Sequence, residues 1–376
     1  MTAVALARYF LILGTTGFGG PIALVGYMQR DLVERRGWFT AEEFSRGLAL
    51  AQVSPGPLAA QLAAYLGWVR RGVRGAALVS IAFVVPSLAM VIVIAALYVR
   101  FGAINWLQPA FAAVGAAVVG ILARSSVRLG RMTLSNDRVL WAIALTNAIG
   151  VLVLRRESLV ILVIGGATAL ASQLPMIRSA AAVAPVFLTR PLSISADISP
   201  LMLSPQLLPL FEYFTVAGIA VFGSGLAIVP YLYHGVVEQH HWLTERQFLD
   251  AIAVSMITPG PVVITVAFIG YLVAGTAGAL TAALAVFLPA WLLVVIVAPH
   301  FDRIRRNASS RRFVDGIVAG ATGAIAGAAI LLSARVLTSP ESVVIACLVV
   351  LAVSSRFRIP EPAAILAAAC VGVALG

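Results

Sequence analysis

Long apolar segments separated by short polar turns run through the whole chain. A helix needs about 20 apolar residues to cross a bilayer, and the pattern places candidate segments in two sets. The first set covers residues 4–28, 44–69, 76–98, 106–122, 139–154 and 159–172. The second set covers residues 210–237, 248–273, 278–298, 313–332, 342–353 and 362–376. The last two segments of each set are short for a crossing, so the number of crossings stays open.

The stretch between the two sets differs in composition. Residues 173–209 are rich in Pro and Ser and contain few long apolar runs, which is typical of a linker, with a short helix predicted at 180–188. The chain is therefore expected to consist of an N-terminal unit at 1–172, a linker at 173–209 and a C-terminal unit at 210–376.

The two units resemble each other in sequence when one is shifted by 204 residues. The matched positions include Tyr9 with Tyr213, Gly14 with Gly218, Trp38 with Trp242, Thr40 with Thr244, and Pro55-Gly56-Pro57 with Pro259-Gly260-Pro261. Shared apolar composition does not produce matched tryptophans and a matched Pro-Gly-Pro triplet. The pattern therefore indicates an internal duplication.

Arginines in the short loops change position between the two units. In the first unit Arg70, Arg71 and Arg74 follow the second segment, whereas the equivalent turn at 274–277 is uncharged. In the second unit the arginines follow the third segment: Arg303, Arg305, Arg306, Arg311 and Arg312. Arginine-rich short loops stay in the cytoplasm, so the units are predicted to be inverted repeats, as in many secondary transporters. Two arginines at 155–156 would then face outward, unless the segments at 139–172 are re-entrant.

Composition agrees with a membrane protein. Of the 376 residues, 61% are hydrophobic and 11% are charged, with a mean hydropathy of +1.01. A soluble domain is about half apolar and about a quarter charged, so a soluble enzyme and a disordered protein are excluded. The predicted fold class is an all-α polytopic protein of the plasma membrane. It would have two inverted-topology repeats of about five to six segments each, with broken or re-entrant helices.

The charged and metal-binding residue types exclude several functions. The net charge of +11 comes from arginines scattered between apolar runs, which does not indicate a nucleic-acid partner. Without lysine there is no Walker A loop and no Schiff base. The two cysteines and four histidines lack metal-type spacing. No cofactor, metal site or enzymatic activity is expected, the lipid bilayer is the expected surrounding, and the oligomeric state stays open, a homodimer included.

Two elements that contain Gly and Pro interrupt the apolar segments in both units. One is GFGGP at 17–21, matched by FGSG at 222–225; the other is SPGP at 54–57, matched by TPGP at 258–261. Pro inside a helix costs about 3 kcal/mol and Gly adds no packing surface, so both elements predict helix breaks. Irregular backbone at membrane depth persists only where protein or water covers it.

The PGP breaks also have a direction. Ser54 and Thr258 precede a proline as an N-cap residue does, so new half-helices are predicted to begin near Pro55 and Pro259. Their free N–H groups and positive dipole ends would bind an anion. In inverted units the two helix starts would approach the midplane from opposite sides and, with the Gly-rich breaks, surround a small tetrahedral oxyanion. The alternative is a pair of kinked helices whose Pro and Gly serve only packing.

The expected substrate-binding residues belong to these breaks, with one arginine added. They are Gly19, Gly20, Arg46, Ser54, Pro55, Gly56, Pro57, Gly223, Ser224, Thr258, Pro259, Gly260 and Pro261. Asp250 is the repeat equivalent of Arg46 and the candidate for proton coupling, although both could lie at the water interface. Gln61 could donate to the substrate or to a neighbouring helix. The glycines spaced from Gly316 to Gly327 predict close helix packing.

At these residues the sequence resembles the chromate ion transporter family. The likeness rests on FGGP near the N-terminus, WF and WLT before Phe44 and Phe248, a PGP break in each unit, and FVVPS or FLPA after it. It covers both units, as in the long two-domain form, although Ser224 and Gly225 stand in place of Gly20 and Pro21. The resemblance implies an inner-membrane protein that exports chromate, driven by the proton gradient or membrane potential, and confers chromate resistance. Sulfate or another small anion is the alternative substrate.

Overall fold

The structure is a computed structural model of the 376-residue chain. It describes residues 2–18, 20–101, 108–134, 137–154, 159–172, 206–220, 228–301, 308–354, 359 and 361–375. Across these residues the regular secondary structure is helical, without a strand. Three of the described helices are long and apolar enough to cross a membrane. The prediction of an all-α membrane protein is thereby confirmed.

The helices of the first half are α1 (Ala3–Thr16), α2 (Gly20–Met28), α3 (Ala41–Val53), α4 (Leu58–Phe101), α5 (Gln108–Thr133), α6 (Arg138–Leu154) and α7 (Leu159–Ala171). Those of the second half are α8 (Leu207–Ala220), α9 (Val229–Tyr233), α10 (Glu245–Ile257), α11 (Thr265–Val297), α12 (Ala308–Val336), α13 (Pro340–Ser354) and α14 (Glu361–Leu375). Two π-helical turns, Gln29–Arg35 and His234–Gln239, extend α2 and α9.

Helices α4 and α11 are each folded back on themselves near their start. In α4, Arg71 and Gly72 leave the helical conformation, and Gly72 has a φ of 57°, which costs glycine little. A β-carbon built on Gly67 would lie 2.7 Å from the carbonyl carbon of Gly75, although eight residues of straight helix span about 12 Å. Helix α11 turns in the same way at 274–275. Each helix therefore has a short first arm (58–70, 265–273) and a long arm (73–101, 276–297).

Helix α3 packs antiparallel to the first arm of α4. Arg70 at the end of that arm donates to both carboxylate oxygens of Glu43 in the first turn of α3, at 3.0 Å each, and to the Trp38 carbonyl. Further along the hairpin, Gly47 packs on the ring of Tyr65. The segment predicted at 44–69 is therefore a hairpin. Hydropathy alone gave it as one segment because both arms are apolar.

The last two helices of each half form a hairpin that packs on the opposite half. Helices α6 and α7 pack on α12, whereas α13 and α14 pack on α5. Gly316 touches α7, and Gly323 and Gly327 touch the backbone of α6. The close packing predicted for these glycines is confirmed.

Local structure recurs at positions that the sequence comparison pairs. Thr40 and Thr244 each close a capping box at the start of α3 and α10. The N–H groups of Trp38 and Trp242 each donate to a carbonyl of the preceding π-helical turn. The same succession of a π-helical turn, a tryptophan and a capped helix thus forms twice.

The buried core joins the two halves. One apolar cluster of the first half includes Val294 from the long arm of α11. The larger cluster of the second half includes Val91 and Ala95 from the long arm of α4. Each long arm therefore contributes apolar surface to the core of the other half.

We expect Arg312→Gln to destabilise the protein, because Arg312 holds both ends of the α6–α7 hairpin. Its guanidinium group donates to Asp137 before α6, and to the Ala169 carbonyl and Ser172 at the end of α7. The Arg312 hydrogen bond is the largest cause that lowers the pKa of Asp137. Loss of the bond between Arg312 and Asp137 should lower the free energy of unfolding by about 1 kcal/mol, with solvent screening taken into account. It should also lower the thermal unfolding temperature measured in detergent.

The sign of the pH effect follows from the lowered pKa. The stabilisation is complete well above about pH 3.9, the unperturbed Asp value, and is lost as the pH falls through the lowered pKa. The difference between wild type and variant should therefore shrink in acid. Arg74→Gln, in an exposed turn, is the control, and an equal loss of stability in both variants would contradict the prediction.

Candidate functional site

Helix α3 ends and α4 begins at the first PGP tip, residues 54–57. Ser54 is extended (φ −86°, ψ 142°), and its N–H donates to the Leu50 carbonyl at 2.9 Å, so Ser54 is the C-cap of α3. Gly56 has a φ of 135°, which residues with a side chain rarely adopt, and α4 starts at Leu58. The predicted N-cap role of Ser54 is wrong, because this residue completes the preceding helix. The helix start predicted near Pro55 is confirmed within three residues.

The second PGP tip, residues 258–261, has the same construction. Thr258 is the C-cap of α10, and its hydroxyl donates to the Val254 carbonyl at 2.6 Å, so its predicted N-cap role is also wrong. Gly260 has a φ of 107°. A turn of 3-10 helix then leads into α11, where the Thr265 hydroxyl donates to Ser255 Oγ at 2.6 Å. This hydrogen bond links α10 to the first arm of α11 across the tip.

The second PGP tip lies against the Gly-rich break of the first half. The Gly260 N–H donates to the Gly17 carbonyl at 2.8 Å. Beside it, the buried Ser87 Oγ donates to the Gly14 carbonyl at 3.2 Å. A β-carbon on Gly260 would overlap Ser87 Oγ. The structure thus brings two of the predicted breaks, at 17–21 and at 258–261, into direct contact.

The first PGP tip makes the equivalent contact with the second half. A β-carbon on Gly56 would lie 2.8 Å from Cβ of Ala290 and 2.5 Å from Nε2 of Gln61. Ala290 and Ser87 each follow a proline in the long arm of α11 or α4. Each tip therefore packs on the proline-containing region of the other half. The contact of the second tip includes a hydroxyl group, that of Ser87, whereas the first tip meets Ala290.

Buried polar groups surround the first tip. Gln61 is 1% exposed, and its Nε2 donates to the Pro55 carbonyl at 2.6 Å, whereas Oε1 has no hydrogen-bond partner among the described residues. Leu58, Ala59 and Ala60 are buried residues in the first turn of a helix, so their N–H groups have no acceptor within that helix. Buried polar groups of this kind require partners. A bound oxyanion would supply acceptors for the N–H groups, and a water or hydroxyl would supply a donor for Gln61.

Arg46 and Asp250, the two charged candidates, have different surroundings. The Arg46 side chain is 41% exposed and pairs with Glu42 at 2.9 Å. Asp250 is 1% exposed and accepts a hydrogen bond from the Tyr98 hydroxyl, on the long arm of α4, at 2.7 Å. Asp250 is therefore a buried carboxyl group that links the two halves, whereas Arg46 is partly exposed.

Asp250 lines a cavity of about 730 Å³. The cavity lies between the first turns of α5 and α10 and the residues that join α12 to α13, with Gly372 of α14 also at its wall. Its charged lining residues are Glu245, Arg246, Asp250, Arg335 and Glu341. These charged groups can hold water or small ions beside Asp250.

Some predicted residues cannot be placed, and some important residues were not predicted. Gly19, Gly223, Ser224 and the short helix at 180–188 lie outside the described residues. Sequence reasoning missed Ser87 and Tyr98, because their roles depend on contacts with the other half. The sequence could have indicated Ser87, because this residue follows a proline in FVVPS, but nothing in the sequence indicated Tyr98. The described part of the chain contains no group of three or more potential metal ligands.

Together, the apolar helices, the breaks at Gly and Pro and the polar cavity define a class of protein. Broken helices that meet inside a helical membrane protein, with a buried carboxyl group at the wall of a cavity that has charged residues in its lining, are the build of a membrane transporter.

Comparison with known proteins identifies the family. The chain belongs to the chromate transporter family, whose sequence model matches residues 4–171 and 208–373. The chain is 45% identical over 368 residues to the chromate transport protein of Cupriavidus metallidurans, covering 98% of this chain and 92% of that protein. It is 47% identical over 378 residues to the probable chromate transport protein of Synechococcus elongatus, covering 98% and 94%. No solved structure matches the chain. The resemblance derived from the FGGP and PGP motifs is confirmed.

Proposed function

We propose that this protein is a secondary active transporter that exports chromate from the cytoplasm across the inner membrane and thereby confers chromate resistance. The observation that carries the proposal is the crosswise seating of the two PGP tips, each on the opposite half of the chain. The names of the relatives support chromate as the substrate. Sulfate, which has the same charge and shape, is the alternative.

The helix lengths support PGP hairpins that enter the membrane without crossing it. Helices α3 and α10 have 13 residues each, or about 20 Å of helix, less than the roughly 30 Å of a hydrocarbon core. In the first half, residues 3–35, the long arm of α4 and α5 would cross, and the hairpins α3–α4 and α6–α7 would return to the face they left. Three crossings would start the second half at the opposite face and so invert it.

The contact between Asp137 and Arg312 supports this inverted arrangement. Asp137 precedes α6, and Arg312 lies near the start of α12, shortly after Arg303, Arg305 and Arg306 in the sequence. The starts of α6 and α12 therefore belong to one face, and the crossing count puts Arg70 and Arg71 at that face too. Arginine-rich loops remain cytoplasmic. The 730 Å³ cavity, lined by the opposite helix ends, would then open to the outside.

The oxyanion would bind between the two tips, where the first arms of α4 and α11 begin. Their N–H groups and positive dipole ends favour an anion, and alternating access would expose this site to each face in turn. Gly56 and Gly260 of the proposed site lie at the tips themselves, and the structure adds Gln61 beside the first tip and Ser87 beside the second. A dianion leaving a negative-inside cell gains about 2.3 kcal/mol per charge per 100 mV, so the membrane potential alone can drive export.

Flux of radioactive chromate into inside-out vesicles tests this function. With the lumen positive, we expect saturable chromate uptake that requires the protein and is inhibited by excess sulfate. Vesicles from cells without the protein are the control. Uptake of sulfate or a carboxylate without chromate would assign the protein to another anion, and absence of all anion uptake would refute the transport proposal.

A further inference from the structure

A charged pair lies where α5 of the first half meets α14 of the second half. Nη1 of Arg124, in α5, lies 3.8 Å from Oε1 of Glu361, the first residue of α14, and the two side chains are 22% and 20% exposed. Arg124 comes 16 residues after Gln108, where α5 starts, which corresponds to about 24 Å along the helix. If α5 crosses as proposed, Arg124 lies inside the membrane, where ionisable residues are costly and commonly mark the path of an ion.

Glu361 also lies at the Gly-rich break of the first half. Gly20 opens α2 with a φ of 72°. A β-carbon built on Gly20 would have Oε2 of Glu361 as its nearest described neighbour, at 3.6 Å. The carboxylate therefore faces both the positive end of α2 and the guanidinium group of Arg124. An anionic side chain of the protein thus lies at Gly20, one of the positions predicted to bind the oxyanion.

The pair between Arg124 and Glu361 is loose. Its 3.8 Å separation exceeds the 2.7–3.2 Å of a normal N–H···O hydrogen bond. Among the described residues, Arg124 donates one hydrogen bond, from Nε to Ser354 Oγ at 3.0 Å. A guanidinium group has five N–H donors in a fork that fits two oxygens of an oxyanion. Arg128, one turn later, also acts on Glu361, so α5 has two cations near a single carboxylate.

We infer that Arg124 binds the transported oxyanion and that Glu361 is its resident counter-ion, which leaves Arg124 when the anion arrives and returns when the anion departs. The inference rests on the proposed function and adds to it a fixed cation and an exchanging carboxylate. Exchange of one anion for another keeps the partly buried guanidinium group of Arg124 paired at each stage. It thereby avoids the large cost of an uncompensated buried charge.

Two single substitutions distinguish the proposed anion exchange from a structural ion pair, because the exchange predicts opposite effects of the two on the KM for chromate. Arg124→Gln should raise the KM for chromate about tenfold, since the anion loses its cation. Glu361→Gln removes the competing carboxylate, so it should lower the KM by about threefold and also lower the maximal rate, because the bound anion is no longer displaced. Both constants are measured as chromate flux into inside-out vesicles, normalised to the amount of protein in the membrane.

Matched controls remove one charge of each sign elsewhere. Arg131→Gln changes an exposed arginine of the same helix, and Glu34→Gln changes an exposed glutamate; neither should alter the KM. If Arg124→Gln does not accumulate in the membrane, Arg124→Lys is measured instead. Lysine keeps the charge but loses the fork, so an increased KM supports the inference and an unchanged KM overturns it.

A purely structural pair gives a different set of results. Both single variants would then lower thermal stability in detergent with an unchanged KM, and the double variant Arg124→Glu with Glu361→Arg would restore stability and flux. Either result would overturn the exchange. Wild-type vesicles separate the two proposals: absence of chromate flux in the wild type refutes the proposed function, whereas normal wild-type flux with an unchanged KM in both variants refutes the exchange alone.

Discussion

Replacing Gly260 by alanine is expected to reduce chromate flux at least tenfold without preventing membrane insertion. Gly260 has a φ of 107°, a conformation that costs a residue with a side chain about 1–3 kcal/mol. The added methyl group would also overlap Ser87 Oγ. It must displace either Ser87, which donates to the Gly14 carbonyl, or the second PGP tip, which donates to the Gly17 carbonyl. Flux into inside-out vesicles, with protein quantified by immunoblot, measures the loss.

Three further variants identify the cause of that loss. Gly26→Ala is the control, because a β-carbon there meets no atom within 4 Å, and it should transport normally. Gly56→Ala tests the first PGP tip, where φ is 135°, and should cause a loss of similar size. Adding Ser87→Gly to Gly260→Ala makes room for the methyl group but leaves the backbone strain, so partial recovery is expected. Normal flux in both Gly56→Ala and Gly260→Ala would contradict a site built on the two tips.

The helix breaks could be predicted from the sequence because Gly and Pro act locally. A proline removes a donor and clashes with the preceding turn wherever it occurs in a helix. For this reason the PGP triplets identified the ends of α3 and α10 and the start of α4, whereas α11 begins six residues after Pro259, behind a turn of 3-10 helix. The direction of capping could not be predicted in the same way. Ser54 and Thr258 lie between two helices, and a hydroxyl residue before a proline fits the end of one helix as well as the start of the next.

Re-entrant helices were expected, but which segments form hairpins could not be predicted, because apolar periodicity is the same in a hairpin and in a crossing helix. The decisive contact is the ion pair between Glu43 and Arg70, 27 residues apart in the chain. The pairing of Arg124 with Glu361 could not be predicted either, because the two residues are far apart in the chain. Each looks like a lone charge beside an apolar run, and their meeting depends on the packing of α13 and α14 on α5. Matched sequence motifs revealed the repeat, but the crosswise contacts between the halves required the three-dimensional structure.

Asp250→Asn is expected to abolish chromate flux driven by a pH gradient and to leave flux driven by the membrane potential largely intact. Asp250 is 1% exposed, accepts a hydrogen bond from Tyr98 and lines the polar cavity. Burial costs the ionised carboxylate several kcal/mol, whereas the Tyr98 hydroxyl and the positive charge of Arg246 favour it. Glu245 and Arg335 line the same cavity. Because these effects oppose each other, the carboxyl group of Asp250 can take up a proton from water in the cavity, whereas an amide cannot.

Purified protein in proteoliposomes separates the two driving forces, because the potential can be clamped while a pH gradient is imposed. The asparagine carbonyl can still accept the bond from Tyr98, so the contact between the halves should survive the substitution. Tyr98→Phe keeps the titrating group and should retain part of the pH-driven flux, and Glu42→Gln, on a 79% exposed acid of α3, should retain all of it. Normal pH-driven flux in Asp250→Asn would place proton coupling elsewhere. Loss of flux under both driving forces would instead assign Asp250 to the anion path, because an amide of the same size preserves the packing but not the charge.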